Sequence, residues 1–417
     1  MKKQNPWIDG AKKEIPNFIE NVVKKSWYYN RLSAKFNGNK DSIEYYINLQ
    51  KSQKLFSWKG DIDTVCSYVE ATNYLKRLLH TGMVAIEPET GAIKAYVGGI
   101  DFNHFKYDNV RSMRQPGSSF KAFVYTAAMA HGWSPCDSLV DAPITIRYEE
   151  KGEQKSWVPR NADRTYVGGN VGLKYAFAHS LNTISVQLTQ RLGVETVINQ
   201  AHEMGIKSPL GTVPSVCLGS SDVTLLELTD AYCPLLNDGY RVEPMFVTRI
   251  EDNNGNVLKT FEPEKTKILD SVTVFLMQQM FLASLSEPYG TTQNLFSYKL
   301  FYHDTDFGGK TGTSSNYSDG WFVGVSPHLV VGSWVGAEER CVHFRTSALG
   351  EGGKTALPMF GLFMEKVINN PNYEKYQGRF PRHMRGLQGR PYSCHTPFIP
   401  KTDSTAVDSV GHTDGVD

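Results

Sequence analysis

Strand-like segments stand on both sides of a helical block, and this order constrains the fold more than any other feature of the sequence. The run GMVAIEPETGAIKAYVGG, which begins at Gly82, predicts a β-hairpin because two apolar stretches flank a Pro-Glu-Thr-Gly turn. The run GWFVGVSPHLVVGSWVGA, which begins at Gly320, predicts two adjacent strands around a Ser-Pro turn. Between them, apolar residues recur at helical spacing from about 117 to 240. We therefore predict an α+β fold, in which an antiparallel sheet of about five strands joins both ends, is flanked by helices and carries a mostly helical subdomain.

Three regions follow from the same patterns. Residues 1–80 mix helical segments with polar breaks, so we expect a helical approach or linker region there. The main domain is expected over 81–370, with a second hairpin in VTRIEDNNGNVLKTFEP and a further helix in SVTVFLMQQMFLASL. Beyond it the chain is rich in Pro, Ser, Thr and Asp and loses its periodicity, which predicts a disordered tail over 371–417.

Composition and charge narrow the class of protein. Hydrophobic residues make up 40% and charged residues 21% of the 417 residues, which is typical of globular domains. Lys plus Arg number 44 and Asp plus Glu 43, so the chain lacks the basic field that nucleic-acid binding needs, and we expect no nucleic-acid partner. The sequence holds neither a long apolar run nor a signal peptide, so as written it predicts no anchor or export signal.

The six cysteines are scattered along the chain and form no CxxC pair. This spacing excludes a zinc-ligand set and a thioredoxin-like redox pair, and we expect no metal site. An even number of cysteines permits disulfides in an oxidising compartment, but spacing does not decide which of them pair. The disulfide state therefore stays open.

The segment RQPGSSFKAFVY carries the first candidate for chemistry. Pro116 and Gly117 precede an apolar-periodic run, so a helix is expected to begin near Ser118. Ser118 and Lys121 are then separated by three positions on one helix face, where the amine can take the hydroxyl proton, while Ser119 lies off that face. Taken alone, a Ser-x-x-Lys match occurs by chance in most proteins of this size, and a capped helix with a surface lysine explains it better.

A second candidate is Ser180-Leu181-Asn182, which we place in a turn between two helices. In such a turn, residues two apart can face the same cleft. Ser180 could then relay protons and Asn182 could bind a substrate amide. On its own this pattern is weak, because Ser and Asn are common in turns.

The third candidate is the run Lys310, Thr311, Gly312 and Thr313. On an edge strand, Lys310 and Gly312 point to one side and the two threonines to the other. Glycine leaves room for a substrate backbone, and a peptide can add to the edge as an extra strand. The lysine and the threonine hydroxyls could receive its carboxylate. A glycine-rich hairpin with a solvated lysine explains the same residues.

Together the three candidates form the Ser-x-x-Lys, Ser-x-Asn and Lys-Thr-Gly set of penicillin-binding proteins and related β-lactamases. Their order, spacing and expected settings agree, and the sequence resembles the transpeptidase module of class A penicillin-binding proteins over about 80–370. Ala122 departs from the family, which often has proline after the lysine. Further segments resemble the family as well: MVAIEPETGAIKAYVGG, WVPRN, LGSSDVTLLEL and DGWFVG.

The resemblance implies a D,D-transpeptidase that cross-links peptidoglycan stem peptides. Lys121 would deprotonate Ser118, which attacks the carbonyl between the last two D-alanines, and the backbone N–H groups of Ser118 and Thr313 would form the oxyanion hole. Lys121, Ser180, Asn182 and Lys310 would complete the catalytic set, and Thr311, Gly312 and Thr313 would bind substrate. No metal or organic cofactor is needed, and β-lactams would acylate the same serine.

The resemblance also implies a location and partners. The chemistry belongs on the periplasmic face of the cytoplasmic membrane, so we expect an anchor and a glycosyltransferase domain to be missing upstream, and membrane contact only through that anchor. Other cell-wall synthesis proteins are further expected partners. The first 80 residues are too few for a glycosyltransferase domain.

Three alternatives remain open. A D,D-carboxypeptidase uses water in place of an acceptor amine, and the acceptor site has no short motif. A β-lactamase is less well supported, because the segment CPLLN has Cys233 where the deacylating glutamate of class A enzymes would stand. The third alternative is a non-catalytic β-lactam binder or inactive truncated module.

Overall fold

The computed structural model describes residue 11 and residues 13–394. Its N-terminal region holds one hairpin in addition to the expected helices. Side-chain caps start three of these helices: Ser26 and Asn39 accept bonds from backbone N–H groups, and Ser67 forms a capping box with Glu70. The elements are α1 (Phe18–Lys25), α2 (Trp27–Lys35), α3 (Lys40–Asn48), β1 (Lys51–Leu55), β2 (Ile62–Cys66) and α4 (Tyr68–Leu75).

The first half of the main domain contains one long hairpin, a group of buried helices and several short strands. These elements are β3 (His80–Ile86), β4 (Ile93–Val97), β5 (Met113–Arg114), α5 (Lys121–Ala130), β6 (Ser138–Val140), β7 (Ile146–Glu150), β8 (Glu153–Trp157), β9 (Asn170–Gly172), α6 (Leu173–Ala178), α7 (Asn182–Leu192), α8 (Val194–Met204), β10 (Val223–Thr224) and α9 (Leu225–Asp230).

The second half returns to strands and closes with helices. Its elements are β11 (Tyr240–Val242), β12 (Arg249–Glu251), β13 (Val257–Thr260), β14 (Lys265–Lys267), α10 (Ser271–Ser286), β15 (Gly308–Thr313), β16 (Asp319–Ser326), β17 (Leu329–Gly336), α11 (Ser347–Gly350), α12 (Gly352–Thr355) and α13 (Leu357–Ile368). In the part of the chain that the structure describes, no helix has both the length and the apolar character needed to cross a membrane.

A five-stranded antiparallel sheet with the order β15-β16-β17-β3-β4 joins the two ends of the domain, as predicted. Successive residues of β16 alternate between two apolar cores: Val323 packs with the helices of the first half, and Phe322 packs against α13. Because both faces of the sheet are covered, β16 and nearly all of β17 are buried. The strand β15, which carries Lys310 to Thr313, lies at one edge of the sheet, as predicted.

The middle block corrects one expectation. It is mainly helical, and α5 is buried from Lys121 to Met129, but β7 and β8 form a hairpin inside it. The expected hairpin near 253–256 is present as β12 and β13, and it pairs with no strand of the central sheet. Helix α10 is apolar on every side and is buried between the sheet and α6.

The segment 371–394 corrects a second expectation, because it packs on the main domain where we expected a disordered tail. Tyr376 and Phe380 are buried, and the Tyr392 ring lies 4.9 Å from that of Phe275 in α10. A disulfide joins Cys136 to Cys394 and ties this segment to the helical subdomain. The remainder of the predicted tail, 395–417, lies outside the described residues.

Candidate active site

The predicted nucleophile lies on a tight turn pressed against the edge strand. Ser118 belongs to a 3-10 turn, Gly117–Phe120, that runs directly into α5. Gly117 has φ +55°, and a Cβ there would lie 2.3 Å from the Thr313 carbonyl oxygen. Only glycine combines this conformation with so close an approach. The turn therefore brings the backbone of Ser118 beside that of Thr313.

The two neighbouring serines differ in surroundings. Ser118 is half-buried, whereas Ser119 is fully buried and its Oγ donates to the Pro116 carbonyl oxygen at 2.7 Å. The backbone oxygen of Ser119 also accepts a bond from the Tyr232 hydroxyl at 2.6 Å. Ser119 thus serves the packing of the turn.

Lys121 is fully buried and points to the second motif. Its Nζ lies 2.6 Å from the Ser180 carbonyl oxygen, 3.2 Å from Ser180 Oγ and 2.6 Å from Asn182 Oδ1. Burial lowers the pKa of Lys121 well below its usual value, and the positive charge of Lys310 lowers it further. Both effects favour the neutral amine over the ammonium.

The second motif lies in a strained turn between α6 and α7, as predicted. Ser180 has φ +57°, a left-handed conformation that is uncommon for serine, and Asn182 is the first residue of α7. The Asn182 amide donates through Nδ2 to the Arg160 carbonyl oxygen at 2.6 Å. Because Nδ2 is used in this way, Oδ1 faces Lys121.

Lys310 lies on the opposite wall, on β15, and is also fully buried. Its Nζ is 3.4 Å from the Thr311 carbonyl oxygen and 5.7 Å from the centre of the Phe177 ring. Burial lowers the pKa of Lys310 to about 7. This lysine can therefore gain or lose its proton near neutral pH.

The side chains of β15 alternate as predicted. Lys310 lies over the Phe177 ring, among the helices of the first half, whereas Thr313 faces α12 and its Oγ1 accepts a bond from the Gly352 N–H at 3.0 Å. Since the Thr313 oxygen already accepts this bond, its hydroxyl proton remains to be donated. Thr311 is largely buried on the same side as Thr313.

Gly312 corrects an expectation about how this strand works. We expected the missing side chain to leave room for substrate. In the structure, a Cβ at Gly312 would lie 2.2 Å from the Pro116 carbonyl oxygen and 2.9 Å from Ser119 Oγ. The glycine therefore makes room for the turn that carries Ser118.

The structure makes the three predicted motifs neighbours: Lys121 contacts Ser180 and Asn182 directly, and β15 lies against the Ser118 turn. Two residues outside the three motifs support the site. The Trp321 indole N–H donates to the Gln115 carbonyl oxygen at 2.7 Å and so fixes the segment before the turn. Asp319 is buried and accepts a bond from the Trp334 indole N–H at 3.1 Å. Asp319 and Trp321 belong to the run DGWFVG, but the sequence of this run does not show which groups they bond to.

Comparison with known families agrees with this geometry. Residues 81–332 match the penicillin binding protein transpeptidase domain, and residues 2–79 match the penicillin-binding protein middle domain. The fold and the site thus define an acyl-transferring transpeptidase domain. The chain belongs to the penicillin-binding protein transpeptidase family.

Individual relatives place it near penicillin-binding proteins of type 1A. Penicillin-binding protein 1A of Aquifex aeolicus is 35% identical over 294 residues, which cover 69% of this chain and 38% of the relative. Penicillin-binding protein 1A of Rickettsia prowazekii is 30% identical over 385 residues, which cover 87% of this chain and 45% of the relative. The chain therefore spans less than half the length of these two relatives.

Two solved structures confirm the predicted fold class. Penicillin-binding protein 1A from Haemophilus influenzae has a TM-score of 0.64 at 24% identity, covering 70% of this chain and 48% of that one. The penicillin-binding protein PonA1 from Mycobacterium tuberculosis has a TM-score of 0.65 at 20% identity, covering 92% of this chain and 99% of that one.

Proposed function

We propose that this protein is a serine D,D-transpeptidase that cross-links peptidoglycan stem peptides ending in D-alanyl-D-alanine. The observation that carries the proposal is the surroundings of Lys121, one helical turn after Ser118. A neutral lysine amine has two N–H donors and one lone pair. The short contacts to the Ser180 carbonyl and to Asn182 Oδ1 account for both donors. The lone pair is then left to accept a proton from a hydroxyl.

In the proposed first step, Ser118 Oγ attacks the carbonyl carbon between the two D-alanines while its proton passes to Lys121 Nζ. Ser180 Oγ, 3.2 Å from that nitrogen, can relay the proton onward. The carbonyl oxygen becomes an oxyanion between the backbone N–H groups of Ser118 and Thr313, a contribution commonly worth about 3 kcal/mol. The C–N bond then breaks, D-alanine leaves with the relayed proton, and an acyl-serine remains.

In the second step, an amine of a neighbouring stem attacks the acyl-serine. The amine gives up a proton, Ser118 recovers one, and the new amide bond is the cross-link. We assign the substrate carboxylate to the edge strand, where Lys310 offers a buried amine that can carry a positive charge and Thr313 offers a hydroxyl donor from the other side of the strand.

The same attack would trap β-lactams, whose leaving group stays tethered after ring opening. Release would need an activated water. Cys233 stands where class A β-lactamases would have the deacylating glutamate. It is buried, and its Sγ lies 3.7 Å from the Thr229 carbonyl oxygen. We therefore expect the acyl-enzyme to persist.

We also propose that the domain works on the periplasmic face of the cytoplasmic membrane. The Cys136–Cys394 disulfide supports this location, since disulfides persist in oxidising compartments.

Mass spectrometry after penicillin treatment tests the proposal. One stable adduct is expected on the peptide that contains Ser118, absent from Ser118→Ala and retained in the matched variant Ser119→Ala. A donor peptide ending in D-alanyl-D-alanine, mixed with an acceptor amine, should yield the cross-linked product. Rapid turnover of penicillin without an adduct, or an adduct on Ser119, would refute the assignment.

A further inference from the structure

A buried carboxylate outside the three motifs holds the second motif in place. Asp141 follows β6 and is 1% exposed. Its Oδ1 accepts bonds from Asn161 Nδ2 at 3.0 Å and from Thr183 Oγ1 at 2.5 Å, and its Oδ2 accepts from the Val167 N–H at 2.8 Å. These three donors are all neutral, and they come from the loop after β8 and from α7. The carboxylate therefore acts as a junction between three separate segments.

The junction continues to the start of α7. Asn161 is 3% exposed, and its Oδ1 accepts bonds from the backbone N–H groups of Asn182, at 2.8 Å, and Thr183, at 3.4 Å. The N-cap position of α7 is Leu181, whose side chain cannot accept a bond, so the Asn161 side chain caps this helix from the loop. Asn161 Nδ2 donates to Asp141, and this bond fixes which way its amide is turned.

The same loop orients the Asn182 side chain. The carbonyl oxygen that accepts from Asn182 Nδ2 belongs to Arg160, the residue before Asn161. If Asn161 shifts, the Arg160 carbonyl shifts with it. The hydrogen bond that orients the Asn182 amide is then weakened, and Oδ1 is no longer held toward Lys121. A buried acceptor bonded to three donors resists such a shift, because each freed donor would be left unsatisfied in the interior.

We propose that Asp141, acting through Asn161 and Thr183, is a positioning residue that sets the distance and direction of Asn182 Oδ1 toward Lys121. This inference rests on the proposed function, because Lys121 must act on Ser118 for its placement to matter. Asp141 itself touches neither the substrate cleft nor Lys121 in the hydrogen-bond network described above.

The test compares variants that remove one bond of the junction without changing its volume. Thr183→Val removes the hydroxyl donor, and Asp141→Asn places an amide NH2 where only acceptors fit. Second-order rate constants for penicillin acylation are measured from pH 5 to pH 10 in the full chain, alongside the melting temperature. Both variants should lower the plateau rate on the order of 10- to 100-fold, since small displacements in an active site have effects of that size.

The pH profile separates positioning from general loss of structure. The bond from Lys121 to Asn182 Oδ1 favours the protonated ammonium, so weakening it lowers the pKa of Lys121. The acid limb of the acylation profile should therefore move to lower pH in both variants. A mere loss of folded protein would lower the plateau and leave the limb where it is, and that result would overturn the proposal.

Matched controls lie close by. Thr189→Val makes the same change on the same helix, where the Thr189 hydroxyl donates to the Ser185 carbonyl oxygen at 2.9 Å. Asp137→Asn changes a carboxylate that accepts from the Ser134 N–H at 2.7 Å. Both should acylate within about twofold of the unchanged protein, because ordinary substitutions away from special features have small effects.

Thr183→Ser keeps the hydroxyl and should restore the rate and the pH profile. If Asp141→Asn does not fold, Thr183→Val decides the outcome alone. Normal acylation by Thr183→Val, with an unshifted acid limb, would overturn the positioning role while leaving the proposed function intact. Failure of the unchanged protein to form any acyl adduct would overturn both.

Discussion

The site has a helical wall, which carries Lys121, and a strand wall, which carries Lys310. Both lysines are fully buried, but they have different numbers of hydrogen-bond acceptors. On the helical wall, Lys121 makes contacts of 2.6, 3.2 and 2.6 Å with oxygens of Ser180 and Asn182. On the strand wall, Lys310 lies 3.4 Å from the carbonyl oxygen of its neighbour Thr311, its one hydrogen-bond acceptor among residues 13–394. The two lysines are therefore equally buried, but Lys121 has more hydrogen-bond partners than Lys310.

This difference indicates which part of the site is complete before substrate arrives. A buried charge without partners is unfavourable unless a ligand supplies the missing interaction. Under the proposed mechanism, the contacts of Lys121 with Ser180 and Asn182 serve proton transfer, and Asp141 and Asn161 support them through the bonds at the start of α7. The strand wall keeps donors unused, which suits an anion that enters with the substrate.

The largest effect is expected from Lys121→Met. The change removes the proposed proton acceptor and leaves the Ser180 and Asn182 oxygens without their donor, so penicillin acylation should fall by about 1,000-fold or more. Stopped-flow measurement with a fluorescent penicillin gives the rate. Thr126→Val, on the same helix, removes a buried hydroxyl that donates to the Ala122 carbonyl and should acylate normally. Near-normal acylation by Lys121→Met would show that another group accepts the serine proton.

The strand wall is tested by Lys310→Met with two forms of one β-lactam. If Lys310 receives the carboxylate, the change should slow acylation by the free acid on the order of 100-fold, since charge-assisted bonds contribute about 1.5–3 kcal/mol. Acylation by the methyl ester, which lacks the anion, should change much less. Lys354→Met, at an exposed lysine of α12, controls for loss of one positive charge. Equal slowing of both forms would place the role of Lys310 elsewhere.

Lys310→Met should stabilise the folded protein, although it slows acylation. Its pKa is lowered from 10.5 to about 7 by burial, so between these values the unfolded chain holds a proton that the folded protein lacks. Stability therefore rises with pH across this window, and the full penalty is present below pH 7. Lys310→Met should raise the melting temperature by several degrees at pH 6, with a gain that shrinks as pH approaches 10.5. Calorimetry at pH 6 and pH 10 measures the difference, and a gain that does not depend on pH would contradict the assignment.

The same two walls show what the sequence can predict. The central sheet was predictable because alternation and turn residues are local signals, as in the 82–99 hairpin and in the strands that became β16 and β17. Helical spacing predicts one face for Ser118 and Lys121, and the structure places Ser118 in a 3-10 turn and Lys121 at the first position of α5. The turn setting of Ser180 and the edge setting of Lys310 were also expected from local pattern.

Contacts between distant segments were not predictable in this way. Asp141 bonds to Thr183 across 42 positions, and Cys136 pairs with Cys394 across 258 positions, so no local pattern reports either contact. The role of Gly312 depends on such a contact as well, because the sequence shows that a side chain is missing but only the fold shows that Pro116 fills the space. Composition predicts disorder for the 371–394 segment, but its disulfide and its contact with Phe275 join it to residues that are distant in sequence.

The smallest effect on acylation is expected from Thr313→Val. This variant tests whether the strand wall is completed by the substrate. The change keeps the branched shape but removes a hydroxyl that accepts from the Gly352 N–H at 3.0 Å and has a proton to donate to the carboxylate. Acylation should fall by about tenfold or less, as expected for the loss of about 1 kcal/mol. Thr313→Ser should restore it. Thr355→Val removes a hydroxyl that donates to the carbonyl of Glu351, the N-cap residue of α12, and should leave acylation unchanged. Combining Thr313→Val with Lys310→Met should give less than the product of the two effects if both residues hold one carboxylate. Fully multiplicative effects would mean that the two residues act on different parts of the substrate.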